Sequence, residues 1–387
     1  GQEQTLTGKG IEPSGVQGII CGAHNFKPGD KVVVTLPGAV LPGGFAITAR
    51  KTYGHKSAGM IASTRELGIG DDHGGILVLS TLGLDPELGT DAMELLGLYD
   101  QAAEVNVTPD RGYAFSLRGI AREWCHATGS SFEDFVLAYG ERAPEANESG
   151  HAVALRDDAP IHGNPGCVRF VMREVSGVKA DAPVPTWMSS RLRLAGVRSL
   201  SLPVDISNYV MLETGQPLHF YDADKVQGEI VVRRAAAGEK LVTLDGVERV
   251  LHPEDIVIAD DSGVIGLAGV MGGASTEVTD STTRILVEAA RFDEVSVART
   301  ARRHKLISES SKRFERGVDP QIQAAAAQRA VELLVELAGA QAEPGVTDVS
   351  LGYEPVVIDL PADYTAGRIG VDYSPEQIES CLREIGC

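Results

Sequence analysis

The chain has 387 residues, 43% hydrophobic and 23% charged, and its 35 basic against 54 acidic side chains give a formal net charge of −19. This composition is typical of a globular chain of roughly two to four domains, and the acidic balance argues against a protein whose whole surface binds nucleic acid. No signal-like start and no apolar run of about 18 residues is present, so a cytoplasmic location without membrane partners is expected. The scattered cysteines form no C-x-x-C pair and indicate neither a disulfide framework nor a zinc site: Cys21, Cys125, Cys167, Cys381 and Cys387.

Residues 1–110 alternate short β-branched runs with Gly and Pro turns, a pattern that predicts a small β-barrel. The runs are Gly18–Cys21, Lys31–Thr35, Ala46–Ala49 and Gly75–Leu79. The segment 21–48, followed by Gly59–Ser63 and Glu66–Gly68, resembles the tRNA-binding OB module that is related to the EMAP-II cytokine domain. The alternative is a barrel that only braces its neighbours.

The rest of the chain predicts three further parts. Residues 111–150 form a short mixed α/β connecting element, with a helical stripe at Leu117, Ile120, Ala121 and Trp124. Residues 151–345 form an α+β domain whose strands are expected at 168–175, 229–235, 240–243, 255–259, 264–270 and 285–289, with a closing helix at 321–338. A linker is expected at 343–354. Residues 355–387 hold one strand, 356–360, and one helix that begins at the capping box Ser374–Gln377. Because this last piece is too small for a core of its own, the chain is expected to be a fragment of a longer protein.

A basic run lies between Arg299 and Arg316 of this acidic chain. Its candidate tRNA contacts are Arg299, Arg302, Arg303 and Lys305. A solvated helix surface without a ligand explains the same pattern equally well.

The segment Asp205–Asp222 concentrates polar side chains in an otherwise apolar, helix-compatible sequence. Among them are Ser207, Asn208 and His219, and Gly215 with Pro217 breaks the helical pattern just before the imidazole. Such placed polar groups are typical of the wall of a binding pocket, although a satisfied buried network is the ordinary alternative. No P-loop, G-x-S-x-G or H-E-x-x-H motif occurs, which disfavours P-loop, serine-hydrolase and zincin chemistry.

A series of motifs on both sides of this segment and within it resembles the B3/B4 domain of the bacterial phenylalanyl-tRNA synthetase β subunit. In chain order they are Pro185–Met188, Gly196–Ser199, Val204–Val210, Gly215–His219, Asp222–Asp224, Leu244–Gly246, Gly266–Gly273, Ile285–Ala290, Ala301–His304 and Glu315–Pro320. The resemblance implies a multidomain α+β fold, in which an OB-type barrel precedes a mixed α/β B3/B4 editing domain (151–345) and a truncated α+β start of the B5 domain (355–387).

The resemblance further implies an editing site that hydrolyses tyrosine wrongly esterified to tRNA(Phe). His219 matches the histidine of the editing pocket, and Glu288 matches the glutamate that recognises the tyrosine hydroxyl. Ser207 and Asn208 match a Thr-Asn pair that lines the pocket, and Gly272 matches a glycine at its mouth. Ser308 and Ser310 stand where relatives have Thr and Ala, which leaves the selectivity of the pocket open.

The chemistry of the residues agrees with such a site. A buried carboxylate at Glu288 would accept a hydrogen bond from a tyrosine hydroxyl and would stay unpaired beside phenylalanine, at a cost of roughly a few kcal/mol. Attack by a water positioned by His219 and Asn208, with backbone N–H groups near Gly272 and Gly273 facing the oxyanion, is the expected mechanism. Two alternatives stay open: His219 orients the water without taking its proton, and Glu288 is a strand-end carboxylate paired with Arg291.

The resemblance also implies partners. The intact β subunit is expected to pair with a catalytic α subunit as an α2β2 heterotetramer that uses ATP and Mg²⁺ and binds tRNA(Phe), with the synthetic site outside this chain and no cofactor for editing within it. A rival hypothesis is a non-catalytic tRNA-docking scaffold whose editing has lapsed. A third, a general nucleic-acid binder built on the OB module, is disfavoured by the net charge of −19.

Overall fold

The structure, a computed structural model, describes residues 17–361 and 363–387. Its contacts divide the chain into two compact units, Gly1–Glu104 with Ala182–Asp205, and Val105–Asp181 with Ile206–Cys387. Residues 182–205, which the sequence places inside the B3/B4 domain, thus cluster with the N-terminal unit. The first 16 residues of the expected OB module lie outside the described residues.

The described part of residues 17–104 consists of short antiparallel hairpins and one short helix. The strands are β1 (Val34–Thr35), β2 (Val40–Leu41), β3 (Phe45–Ala46), β4 (Arg50–Thr52), β5 (His55–Ser57) and β6 (Met60–Ile61), and the helix is α1 (Ala92–Leu95). β1 pairs with β6, β2 with β3 and β4 with β5, and Val32 bridges Val78. The expected run at 18–21 is not a strand, and 75–79 contributes only the bridge at Val78. Barrel closure therefore stays a prediction.

The connecting region forms two capped helices, α2 (Leu117–Thr128) and α3 (Phe135–Arg142). The stripe expected on α2 is helical but does not face a core, because Leu117 and Trp124 are 57% and 68% exposed. Arg118 on the same helix is the anchoring side chain: it binds Asp134, the N-cap of α3, and Asp319 at 2.7 Å. The ion-paired arginine thus links α2 to α3 and to Asp319, and α3 itself packs Val136 against Ile322 and Ala325.

The remaining elements follow in chain order. They are β7 (Val153–Arg156), β8 (Cys167–Ser176), α4 (Thr186–Leu194), α5 (Leu202–Thr214), β9 (Leu218–Asp222), β10 (Ile230–Arg234), β11 (Lys240–Val242), β12 (Glu248–Val250), β13 (Ile256–Asp260), β14 (Gly263–Leu267), β15 (Met271–Gly272), β16 (Arg284–Phe292), α6 (Glu294–His304), α7 (Glu309–Phe314), α8 (Gln323–Ala338), β17 (Gln341–Ser350), α9 (Tyr364–Ile369) and α10 (Pro375–Glu384). The predicted strands of 151–345 and the closing helix are present, with ends shifted by a few residues.

Two sheets and one helix make the layers of this α+β unit. An antiparallel sheet of order β17-β8-β16-β9 packs one face against α8. Its other face meets a five-stranded sheet of order β15-β14-β13-β10-β7, so Phe170, Met172 and Tyr221 share a core with Ile258 and Ile265. The alternation of side chains along β9 and β16 therefore decides which residues enter the space between the sheets. Together with the hairpin region, these layers confirm a multidomain α+β fold.

The linker expected at 343–354 is wrong over its first half, because residues through Ser350 form the edge strand β17 on β8. Pro344 and Gly345 lie where the register shifts between Ala342 and Val346. A bulge on an edge strand is a position where Pro and Gly are tolerated.

The C-terminal piece agrees with the sequence in its helix but not in its strand. The capping box of Ser374 and Gln377 is present at the start of α10. The strand expected at 356–360 is wrong: within the described residues this segment pairs with no strand, and Val356 and Ile358 are 83% and 79% exposed. Among the described helices, none combines the length and apolarity that crossing a lipid bilayer requires.

Asp255 is the buried centre of an ion cluster beneath α6. Replacing this residue tests how much the cluster contributes to the stability of the fold. It is 0% exposed and accepts hydrogen bonds from Thr300, Arg303 and His304. Burial raises the pKa of this carboxyl, but the His304 hydrogen bond and the Arg303 charge outweigh burial and hold the pKa below its usual value.

We expect Asp255→Asn to lower the free energy of unfolding in urea by about 2 kcal/mol at neutral pH, because bonds to a charged acceptor are lost. The stabilisation by the ionised carboxylate is present above the pKa of the unfolded chain and is lost as the pH falls through the lower folded pKa, so the difference between the two proteins should shrink in acid. Glu379→Gln, at an exposed pair on α10, is the control and should change little. Equal stability of the Asp255→Asn protein at neutral pH would contradict the role of this cluster.

Candidate active site

A cavity of about 190 Å³ lies between the two sheets of the α+β unit, beside α7. It is walled by β9, β16, the β14–β15 hairpin and α7; the lining residues are Pro217, Leu218, His219, Tyr221, Leu244, Ile258, Gly266, Leu267, Gly269, Val270, Met271, Gly272, Glu288, Phe292, Ser310 and Phe314. Most of these are apolar, and the ionisable ones are His219, Tyr221 and Glu288. A largely apolar cavity with a few convergent polar groups is typical of a small-molecule site.

Strand register brings the imidazole and the carboxylate together. His219 on β9 lies directly opposite Glu288 on β16, and residues opposite each other in an antiparallel pair project to the same face. Tyr221, two positions after His219, shares that face. Its ring meets the His219 ring edge to face, with centroids 4.4 Å apart. Residues 69 and 67 positions apart in sequence thus form one polar group on a single cavity wall.

The backbone at Gly272 lies against the His219 imidazole. A Cβ built on Gly272 would lie 2.3 Å from Cε1 and 2.6 Å from Nε2 of His219, which is closer than non-bonded atoms can approach. The glycine therefore permits the imidazole to lie against the β14–β15 hairpin. The predicted place of Gly272 at the pocket agrees with this geometry, and its physical reason is the absence of a side chain.

Glu288 is buried, and Tyr221 is its hydrogen-bond partner. The carboxylate is 4% exposed and Tyr221 is fully buried; the tyrosine hydroxyl donates to Oε2 of Glu288. The alternative pairing of Glu288 with Arg291 is wrong, since Arg291 binds Glu294 at 3.2 Å and the Val318 carbonyl. Glu288 lies in the middle of β16, not at its end.

Burial shifts both ionisable groups toward their neutral forms. Burial raises the pKa of Glu288 to about 7, partly offset by the Tyr221 hydrogen bond, and burial lowers the pKa of His219 to about 4. Nε2 of His219 is buried and has no hydrogen-bond partner in the described part of the chain. The imidazole is therefore neutral at physiological pH, and its Nε2 can form a hydrogen bond with a ligand. His219 is thus not part of a satisfied buried network.

The two serines expected in the pocket have separate roles. Ser310 lines the cavity, but its hydroxyl donates to the Gly269 carbonyl at 3.0 Å. Ser308 is the N-cap of α7: its Oγ accepts from the Ser311 amide and donates to the Val270 carbonyl. Both hydroxyls are engaged by backbone groups, and Ser308 is not among the lining residues.

Three further expected residues are not on the cavity wall. Ser207 and Asn208 lie half-buried on α5, outside the lining. Gly273 also lies outside it, and its amide donates to the Ile265 carbonyl at 2.8 Å. The expectation that the Gly273 N–H faces an oxyanion is therefore wrong, because the strand pairing uses that donor.

The basic run is largely neutralised on α6. Arg299 binds Glu254 at 3.1 Å, and Arg303 binds Glu254 and Asp255. Arg302 and Lys305 are exposed. Of the four expected tRNA contacts, two are thus tied to an acidic turn before β13, and all four stay predictions.

Tyr221 and the aromatic wall of Phe292 and Phe314 were not among the residues expected from the sequence; the rings of the two phenylalanines meet at 5.1 Å. A signal for Tyr221 was available: in a strand, positions i and i+2 face the same way, so a residue two after His219 belongs on its wall. The Phe pair joins β16 to α7, and no spacing in the sequence indicates that contact.

Comparisons with known proteins agree with this architecture. The B3/4 domain family matches residues 166–339, a range that contains every lining residue of the cavity. The cavity thus lies within the part of the chain that matches the B3/4 domain.

Curated relatives extend the match to almost the whole chain. A protein named phenylalanine--tRNA ligase beta subunit from Leifsonia xyli subsp. xyli is 62% identical over 96% of this chain and 44% of its own length. Proteins of the same name from Streptomyces avermitilis and Thermobifida fusca are 56% and 55% identical, over 96% of this chain and 44% and 43% of theirs.

A crystal structure of an N-terminal fragment of the phenylalanyl-tRNA synthetase β subunit from Pyrococcus horikoshii aligns with a TM-score of 0.35 and 15% identity, over 79% of this chain and 86% of that one. Over 96% of its length the chain is thus similar to phenylalanine--tRNA ligase β subunits, and it spans less than half the length of these three curated relatives.

Proposed function

We propose that the cavity hydrolyses tyrosine that is wrongly esterified to tRNA(Phe), and that the chain serves an enzyme that attaches phenylalanine to this tRNA. The observation that carries the proposal is the buried Glu288 carboxylate directly opposite the His219 imidazole, in one cavity of about 190 Å³.

Polarity provides the selection. Phenylalanine and tyrosine differ by one hydroxyl, and an apolar site rejects an added hydroxyl by only about 10²-fold. A second site that requires the hydroxyl supplies the missing discrimination. The walls from Phe292, Phe314 and Leu267 suit the ring, and Glu288 offers a charge-assisted acceptor for the hydroxyl. Bound phenylalanine would leave that acceptor without its partner.

Water is the nucleophile in this mechanism. Its oxygen attacks the ester carbonyl, the ester C–O bond breaks, and tyrosine and a free terminal ribose hydroxyl leave. His219 lies on the wall with Nε2 unpaired, which suits a hydrogen bond to the water. Because burial lowers its pKa to about 4, His219 is a weak base at neutral pH, so orientation of the water is its main part. Asn208 stays a prediction from the sequence, since it lies on α5 outside the cavity lining.

The larger assembly is part of the proposal. The chain would act within an α2β2 heterotetramer whose α subunit carries the ATP- and Mg²⁺-dependent synthetic site, with the N-terminal unit, Arg302 and Lys305 as candidate contacts to tRNA. Across the described residues, no group of three or more His, Cys, Asp or Glu side chains is arranged to hold a metal ion. These residues therefore do not suit Mg²⁺, and no step of the hydrolysis is assigned to this ion.

The decisive test is deacylation of tyrosyl-tRNA(Phe) against phenylalanyl-tRNA(Phe) by this chain. We expect kcat/KM for release of tyrosine to exceed that for release of phenylalanine by about 10²-fold or more. Tyrosine gains a charge-assisted hydrogen bond to Glu288, whereas phenylalanine leaves that carboxylate without a partner. Release of neither amino acid above the uncatalysed rate would favour the alternative, a tRNA-docking scaffold without editing.

A further inference from the structure

We infer that Tyr221 is a positioning residue for selectivity: its hydroxyl holds Oε2 of Glu288 and leaves the other carboxylate oxygen to bind the hydroxyl of the substrate. This inference deepens the proposed editing function and rests on it. The hydroxyl of Tyr221 donates to Oε2 inside the cavity wall.

The Tyr221 hydroxyl donates to the Glu288 carboxylate in the same way as the hydroxyl of a tyrosyl substrate would. A carboxylate has about four lone-pair positions on two oxygens, so one donor from Tyr221 does not exhaust its capacity. The phenol of Tyr221 is fully buried, and its ring is fixed edge to face against His219 at 4.4 Å. The same side chain thus orients the carboxylate and supports the imidazole, which are the two groups that the hydrolysis requires.

The hydroxyl also favours the ionised form of the carboxylate. Burial raises the pKa of Glu288 to about 7, and the Tyr221 hydrogen bond opposes that rise. The other titratable groups near the carboxylate are His219 on β9 and Cys167 on β8; burial keeps the imidazole neutral, and burial together with the charge of Glu288 raises the thiol pKa. The β14–β15 hairpin and α7 present Met271, Gly272, Ser310 and Phe314 to the cavity, none of which titrates. Without the Tyr221 hydroxyl, Glu288 would therefore be protonated at neutral pH and would lose its charge-assisted bond to the substrate.

Tyr221→Phe tests the inference because it removes the hydroxyl and keeps the ring against His219. We expect the ratio of kcat/KM for tyrosyl-tRNA(Phe) to that for phenylalanyl-tRNA(Phe) to fall about 10-fold at neutral pH, mainly through KM for the tyrosyl ester. The decline of the tyrosyl reaction at low pH, which is the acid limb of its pH profile, should move to higher pH. Part of the lost preference for the tyrosyl ester should return in alkaline buffer. Tyr139→Phe, the same change on α3 outside the cavity, is the matched control and should leave the ratio and the acid limb unchanged.

Infrared difference spectroscopy of the carboxyl band, assigned with Glu288→Gln, measures the titration of Glu288 without substrate. A higher midpoint in Tyr221→Phe than in the parent supports the control of Glu288 by Tyr221 whether or not the parent releases tyrosine, so failure of the inference and failure of the proposed function are distinguished. An unchanged midpoint overturns the inference. Equal losses for both esters with an unchanged acid limb also overturn it, since they would show that Tyr221 contributes only packing.

Discussion

Replacing Glu288 by Gln is expected to remove most of the preference for tyrosyl-tRNA(Phe), lowering the ratio of kcat/KM for the tyrosyl and phenylalanyl esters by about 10²-fold. Glutamine fills the same space in the wall of β16 but carries no charge. Its amide nitrogen can also turn toward the substrate hydroxyl as a donor where an acceptor is needed. Since the carboxylate is 4% exposed, solvent does little to screen the loss. The measurement is the initial rate of deacylation of both esters by parent and variant.

The selectivity of the parent should itself depend on pH. With the pKa of Glu288 at about 7, the carboxylate is ionised above that pH and neutral below it, so the preference for tyrosine should fall as the pH drops through about 7. Because the folded pKa exceeds the unfolded value, the same group makes the parent less stable as the pH rises from about 4.5 to about 7. Glu288→Gln should lack both dependences.

Glu174→Gln is the matched control for this variant. Glu174 lies on β8 of the same sheet, outside the cavity, where it binds Arg284 at 2.5 Å. The control should retain the tyrosine preference and its pH dependence. An unaltered ester ratio in Glu288→Gln would show that the choice of amino acid is made elsewhere.

The sequence predicted the members of the site better than their environment. The sequence predicted a strand at 285–289, which is part of β16, but none at β9, which lies in a segment that was expected to be helix-compatible. The resemblance singled out His219, Gly272, Glu288 and Ser310, which the structure gathers around one cavity. What a single sequence could not supply is register. The opposition of His219 and Glu288 follows from the pairing of two strands that are far apart in the chain, and a shift by one residue would turn either side chain to the other face.

The errors share a physical cause, which is that tertiary partners decide the state of ambiguous segments. Pro344 and Gly345 are typical of a linker, but a free edge on β8 accepts them as a bulge in β17. The segment 356–360 has strand-like residues and, within the described chain, no strand to pair with. Arg299 and Arg303, whose contact with tRNA stays a prediction, show the same dependence on tertiary partners, because both pair with Glu254, which lies in a turn 45 and 49 positions earlier.

The cavity also shows why stability and function compete at this site. An unpaired imidazole nitrogen and a buried carboxylate each cost free energy in the empty protein. Tyr221 offsets part of this cost by its bond to Glu288, and the packing of Phe170, Met172 and Leu286 in the same core supplies apolar burial around it. A substrate that brings a hydroxyl and a water would satisfy the groups that the fold leaves open.

Replacing Gly272 by Ala is expected to reduce tyrosine release by about 10²-fold, the same loss as His219→Ala, because the new Cβ and the imidazole cannot occupy the same space. The ring must turn from the cavity, at a cost of about 1–3 kcal/mol in stability for the overpacked wall. A double-mutant cycle isolates the cause. If Gly272 acts only by admitting the imidazole, Gly272→Ala should cost nothing further in deacylation once His219 is Ala, and the double variant should regain the stability lost in Gly272→Ala. Additive losses would instead show that the backbone of the hairpin contacts the ester directly.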